Sequence, residues 1–155
     1  MSVLDDKNEM AGYQKVYFHL QQDEDGYPPQ EWESLWAKEI EPGLFQIDNI
    51  PFFVQDVSDE DVVSTEVRDG ELHFKQLIRL SGHSVLRVLL YDVKDVDWLR
   101  GELRKIGCSS ELSHIACLIS VGVPPTASLD LVRQFLDQGE KEERWGYEEA
   151  SIRHH

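Results

Sequence analysis

Residues 83–91 read HSVLRVLLY, and the placement of this run decides the fold. Both alternating sets of side chains are largely apolar, so it is expected to be a central strand covered on both faces. Downstream, Asp95 offers an N-cap, and Val96, Leu99, Leu103 and Ile106 recur at helical spacing. Gly107 then stands where a C′ glycine belongs. Residues 108–113 are expected as a short edge strand, and residues 115–123 as a long buried one ended by Pro124-Pro125. Ser128 caps a second predicted helix that buries Leu131, Val132, Phe135 and Leu136, with Gly139 near its end. Residues 145–152 read as a last strand. Residues 83–152 therefore spell β-α-β-β-α-β, the order of a ferredoxin-like sheet with two helices on one face.

Upstream the pattern is different. Residues 13–21 (YQKVYFHLQ) alternate as a strand with Val16, Phe18 and Leu20 on one face. Gly26 and Pro28-Pro29 make a turn. Residues 31–40 (EWESLWAKEI) fit either a helical turn or a strand. Pro42-Gly43 turns into a short strand at 44–47, which residues 48–51 break. Asp69-Gly70, between β-rich runs at 61–67 and 72–80, is the strongest hairpin signal in the chain. The expected architecture is α+β: a flexible acidic leader at 1–12, a β-rich part at 13–82 forming a small curled sheet or barrel, and the ferredoxin-like part at 83–152. Ser81-Gly82 is the seam; no linker marks it, so one shared core is expected.

Composition narrows the function classes. Hydrophobic residues make up 41% and charged residues 29% of 155 residues, enough apolar material for a packed core. Net charge is −15, and the first 61 residues hold fifteen acids against only Lys7, Lys15 and Lys38. Such a surface repels nucleic acid and anionic lipid and speeds encounter with a basic partner. No apolar run reaches the ~20 residues of a membrane span, and the acidic start is not a signal peptide, so a cytoplasmic protein with reduced Cys108 and Cys117 is expected.

Catalytic patterns are missing. Ser81-Gly82-His83-Ser84 brings serines beside a histidine without a Gly-x-Ser-x-Gly elbow. No pair of histidines or cysteines has zinc-ligand spacing, and no glycine-rich phosphate loop occurs, so neither metal nor cofactor is expected. His19 and His73 oppose the apolar series of their strands and are expected to face solvent. His154 and His155 have the look of a tag remnant and carry no weight.

Four tryptophans remain, and Trp32 and Trp36 lie in the acidic half beside Tyr27, Glu31, Glu33 and Glu39. Aromatic anchors ringed by carboxylates suit a basic protein partner, whose Lys and Arg they would pair and stack against. The competing reading is that both tryptophans close a small β core. The candidate partner-binding set is Asp23, Glu24, Asp25, Tyr27, Glu31, Trp32, Glu33, Glu39, Asp59, Glu60 and Asp61.

The runs Asp25-Gly26-Tyr27-Pro28-Pro29, Glu33-x-x-Trp36, Asp48-Asn49-Ile50-Pro51-Phe52-Phe53, Asp61-Val62-Val63 and Ser81-Gly82-His83-Ser84-x-x-Arg87 resemble a bacterial family of small uncharacterised proteins. Size, acidity and the absence of catalytic motifs are also similar to those of immunity proteins, including those of contact-dependent growth inhibition. The resemblance implies a cytosolic immunity protein, monomer or homodimer, that occludes a basic toxin domain of nuclease type. The alternative is a small-molecule-sensing regulatory module of ferredoxin-like type. A third reading is an enzyme using His83 with Asp48 or Glu33.

Overall fold

The computed structural model describes residues 12–155; all but the last residue of the expected acidic leader lies outside them. The chain divides between Ser81 and Gly82 into two compact units. Where the sequence suggested one shared core, each unit closes around a hydrophobic cluster of its own.

The first unit is a closed five-stranded barrel of β1 (Tyr13–His19), β2 (Trp32–Glu41), β3 (Leu44–Ile47), β4 (Val62–Arg68) and β5 (Glu71–Arg79). Consecutive strands pair antiparallel, and β5 returns to β1 in parallel through Val16–Leu72 and Tyr17–His73 alone. Alternation sends Val16, Phe18, Leu35, Ala37, Phe45, Ile47 and Val63 inward, and Val57 joins them from a loop. The ambiguous run at 31–40 is thus strand. Its inward residues, Leu35 and Ala37, follow a period of two. Asp69 and Gly70 both have positive φ (52° and 80°), the condition for a tight hairpin turn. Register shifts along β4–β5 add the curl that closure requires.

The second unit follows the order β6 (Ser84–Leu90), α1 (Val96–Lys105), β7 (Ser109–Leu112), β8 (Leu118–Val123), α2 (Leu129–Lys141) and β9 (Trp145–Ser151). Its sheet runs β7-β8-β6-β9, antiparallel throughout. Leu86, Val88 and Leu90 of β6 meet Leu99 and Leu103 of α1 and Leu129, Val132 and Leu136 of α2 in one cluster. Both helices therefore cover the same sheet face.

Local chemistry sets the helix ends. Gly107 (φ 93°) closes α1: its N–H donates to the Arg104 carbonyl, and the Cys108 N–H donates to Leu103. Ser128 Oγ accepts the Leu131 N–H and caps α2 as expected. The start of α1 departs from expectation. Asp95 makes no side-chain cap; Asp92 caps a 3-10 turn at Val93–Asp95 instead, accepting the Lys94 N–H. Asp95 pairs with Arg144, whose guanidinium lies 4.2 Å from the Trp98 ring centroid.

Three further expectations need correction. The strand expected from residue 115 begins at Leu118, because Ser113 Oγ holds the Ile115 amide in a tight turn. Leu131 points to solvent, the buried face of α2 being Leu129, Val132, Leu136 and Gly139. His154 is seated: its Nδ1 lies 2.6 Å from Ser84 Oγ and its Nε2 3.0 Å from the Pro124 carbonyl. That carbonyl only accepts, so Nε2 carries the proton and Nδ1 accepts the Ser84 hydroxyl.

Candidate partner-binding site

Because Val16 and Phe18 of β1 and Leu35 and Ala37 of β2 point inward, Tyr17, His19 and Trp32 take the outer face of the barrel. Pairing sets His19 opposite Trp32 and Tyr17 beside His73 of β5. The four rings form a ladder across three strands. Centroids are 4.8 Å apart for His19–Trp32, 5.3 Å for Trp32–His73 and 5.8 Å for Tyr17–His73. The two Trp32 contacts are edge-on, the arrangement aromatic quadrupoles favour, worth about 0.5–1.5 kcal/mol each. Trp32 remains 40% exposed, a broad apolar surface held in one orientation.

Carboxylates edge this ladder. Glu31 Oε1 is 3.5 Å from His19 Nε2, and Glu71 Oε1 is 4.0 Å from His73 Nε2. Burial, and then the Glu71 carboxylate that accepts its hydroxyl proton, raise the Tyr17 phenol above its ordinary pKa. His73 departs from the sequence reading. It does oppose the apolar series of β5, yet the neighbouring rings bury it to 9% exposure, and its Nδ1 has no hydrogen-bond partner. The face can therefore offer a cation both flat ring surface and negative charge.

The candidate acids separate into two groups. Glu31 is exposed at the ladder, and Glu24, Asp25, Glu39 and Glu60 are also exposed. Asp23 shapes a turn by accepting the Asp25 and Tyr27 N–H groups, and Tyr27, 49% exposed, meets Phe53 edge-on. Glu33, by contrast, is buried: its carboxylate accepts the backbone N–H groups of Phe52, Phe53 and Val54 at 2.7–3.1 Å. Asp61 is fully buried and accepts the Ser58 and Ser81 N–H groups, both at 2.8 Å. Asp59 is buried as well, and its carbonyl accepts the Ser81 hydroxyl. Glu33, Asp59 and Asp61 are thus removed from the candidate surface; an inward-facing carboxylate near a loop takes amide donors in place of water.

The tryptophan pair also divides. Trp32 stands at the surface, whereas Trp36 is only 3% exposed, with its backbone N–H donated to Asn49 Oδ1 at 2.6 Å. Tyr17, His19, Glu71 and His73 were not in the candidate set. Their shared outward parity on paired strands was the available signal, and it required the register.

These features define an α+β protein in which an acidic barrel, carrying an exposed aromatic face, is followed by a four-stranded antiparallel sheet with two helices. The chain belongs to the family described as a domain of unknown function, DUF4265, whose model matches residues 33–147. Three of the ladder rings, Tyr17, His19 and Trp32, precede the matched segment. A hypothetical protein from Neisseria gonorrhoeae, described as a novel crystal structure, is similar in fold. Its TM-score is 0.76 at 23% identity, over 94% of this chain and 98% of that one. No curated protein matches the sequence. No helix among the described residues is long and apolar enough to cross a membrane.

Proposed function

We propose that the protein is a cytoplasmic immunity protein that binds and occludes a basic toxin domain of nuclease type. The observation that carries this reading is the ladder of Trp32, His19, Tyr17 and His73 edged by Glu31 and Glu71. Rigid aromatic surface supplies binding energy at the centre of an interface, and surrounding carboxylates meet the lysines and arginines a nuclease uses for phosphates. Occlusion is stoichiometric and involves no catalytic step. In agreement with this, the carboxylate of Glu33, one possible partner for a catalytic His83, is already taken by three loop amides.

The test is binding to, and protection from, the basic C-terminal domain of a toxin encoded beside this chain. Tight binding that weakens with salt, and that Glu31→Lys and Trp32→Ala remove without unfolding the protein, is the expected result. A domain that binds both variants as tightly as the parent protein would overturn the reading.

A second reading, a ferredoxin-like small-molecule-sensing module, draws support from the sheet order β7-β8-β6-β9 and from two helices on one face. It expects a ligand-dependent rise in melting temperature with no protein partner present.

A further inference from the structure

The pairing of β1 is uneven along its length. Tyr13, Gln14 and Lys15 are matched on the β2 side by Lys38, Ala37 and Trp36. On the other side, β5 first meets β1 at Val16. Ahead of that point the barrel wall leaves an open recess of about 440 Å³, lined by Gln14, Lys15, Tyr17, Trp36, Glu71 and Leu72.

The polar groups in the recess are unevenly satisfied. The Lys15 ammonium sits 5.2 Å from the Trp36 ring centroid, and among the described residues no carboxylate lies within ion-pairing distance of it. In a chain of net charge −15, an unpaired, half-buried lysine is unexpected. Trp36, only 3% exposed, has an indole Nε1–H with no acceptor among the described residues. Buried indole N–H groups ordinarily find one. The Gln14 amide adds a further donor on the same wall. Glu71, the one acid of the lining, is already engaged by the Tyr17 hydroxyl.

We propose that this recess binds a small organic carboxylate. Its oxygens are held by Lys15 and Gln14 and supply the acceptor that Trp36 Nε1 lacks; its apolar part lies along Trp36 and Leu72. A single lysine balances one negative charge. A phosphate dianion would bring a second charge beside Glu71 with no cation to meet it, so the recess favours the carboxylate. This inference goes beyond the partner-binding reading and does not depend on it.

The test uses the full-length chain labelled with nitrogen-15, whose four tryptophans give four indole N–H resonances. Trp36→Phe identifies the resonance of interest. Sodium benzoate is the probe, with inorganic phosphate as the comparison. The expected result is a saturable shift of the Trp36 indole resonance while those of Trp98 and Trp145 stay in place. Lys15→Met should weaken benzoate about tenfold or more, the loss expected for a charge-assisted hydrogen bond. The Trp98 and Trp145 resonances of that variant report that it has folded. No saturable shift, equal affinity in Lys15→Met, or phosphate binding tighter than benzoate would each overturn the proposal. No protein partner enters the measurement, so its failure is distinct from failure of the immunity reading.

Discussion

Gly139 of α2 lies directly beneath the indole of Trp145, so close that a methyl group on its α-carbon would overlap the ring. The indole Nε1–H donates to the Leu136 carbonyl one turn earlier, which fixes the ring across the helix. Trp145 is 1% exposed and packs against Trp98 and Phe135. A residue that sequence alone places near a helix end is thus the point where helix and sheet come closest.

Gly139→Ala should therefore destabilise the protein, although alanine is the better helix former by about 1 kcal/mol. Overpacking a rigid ring costs about 1–3 kcal/mol, more than that gain. Urea denaturation followed by tryptophan fluorescence checks the sign, and a stabilised variant would refute the argument.

Glu33→Gln replaces a carboxylate that accepts three backbone N–H groups with an amide that can present only one oxygen. Leaving buried donors unmatched should cost about 1–3 kcal/mol, seen as a lower denaturation midpoint. The same substitution at exposed Glu31 should leave the midpoint within about 0.5 kcal/mol of the parent.

Ser84 Oγ accepts the N–H groups of Arg153 and His154 while its hydroxyl serves the His154 ring. Ser84→Ala strands these groups at the end of β9. The expected result is a loss of about 1–3 kcal/mol, with faster amide exchange at Arg153 and His154. Unchanged exchange there would show that Ser84 does not hold the segment.

Burial pushes the Cys108 thiol from 9.0 up to about 11. Between those values the folded chain keeps a proton that the unfolded chain releases, so stability is full below about pH 9 and is lost as pH rises toward about 11. The raised phenols of Tyr17 and Tyr147 act in the same direction. Denaturation midpoints measured at about pH 7 and about pH 10.5 should differ by less in Cys108→Ala than in the parent. At neutral pH, a thiol reagent should modify the partly exposed Cys117 well before Cys108.

The readable parts of this chain were those with local causes. Asp69-Gly70, Gly107 and Ser128 each act within a few residues, and each does what its chemistry predicts. The strand at 32–41 stayed ambiguous because Trp32, Leu35 and Trp36 satisfy a helical spacing equally well, and only β1 and β3 on either side settle it. Glu33 and Asp61 look like any other acids in composition. Parity separates them: Glu33 shares its face with Leu35 and Ala37, and Asp61 with Val63. The candidate surface was half legible for the same reason. Trp32 and Glu31 could be named, but the partners that complete the face come from β1 and β5, 13 and 41 residues away at His19 and His73.

The two-residue parallel pairing of β1 with β5 also bears on how the barrel forms. Its other pairings join strands adjacent in sequence, whereas Leu72 follows Val16 by 56 residues. Ordering so long a loop for so few hydrogen bonds makes that junction the last to zip and the first to open. The outermost strand in sequence is therefore the barrel's natural gate for partial unfolding. In native-state hydrogen exchange, the amides of β1 facing β5 should exchange ahead of those joining β4 to β5, with the rest of the barrel still folded.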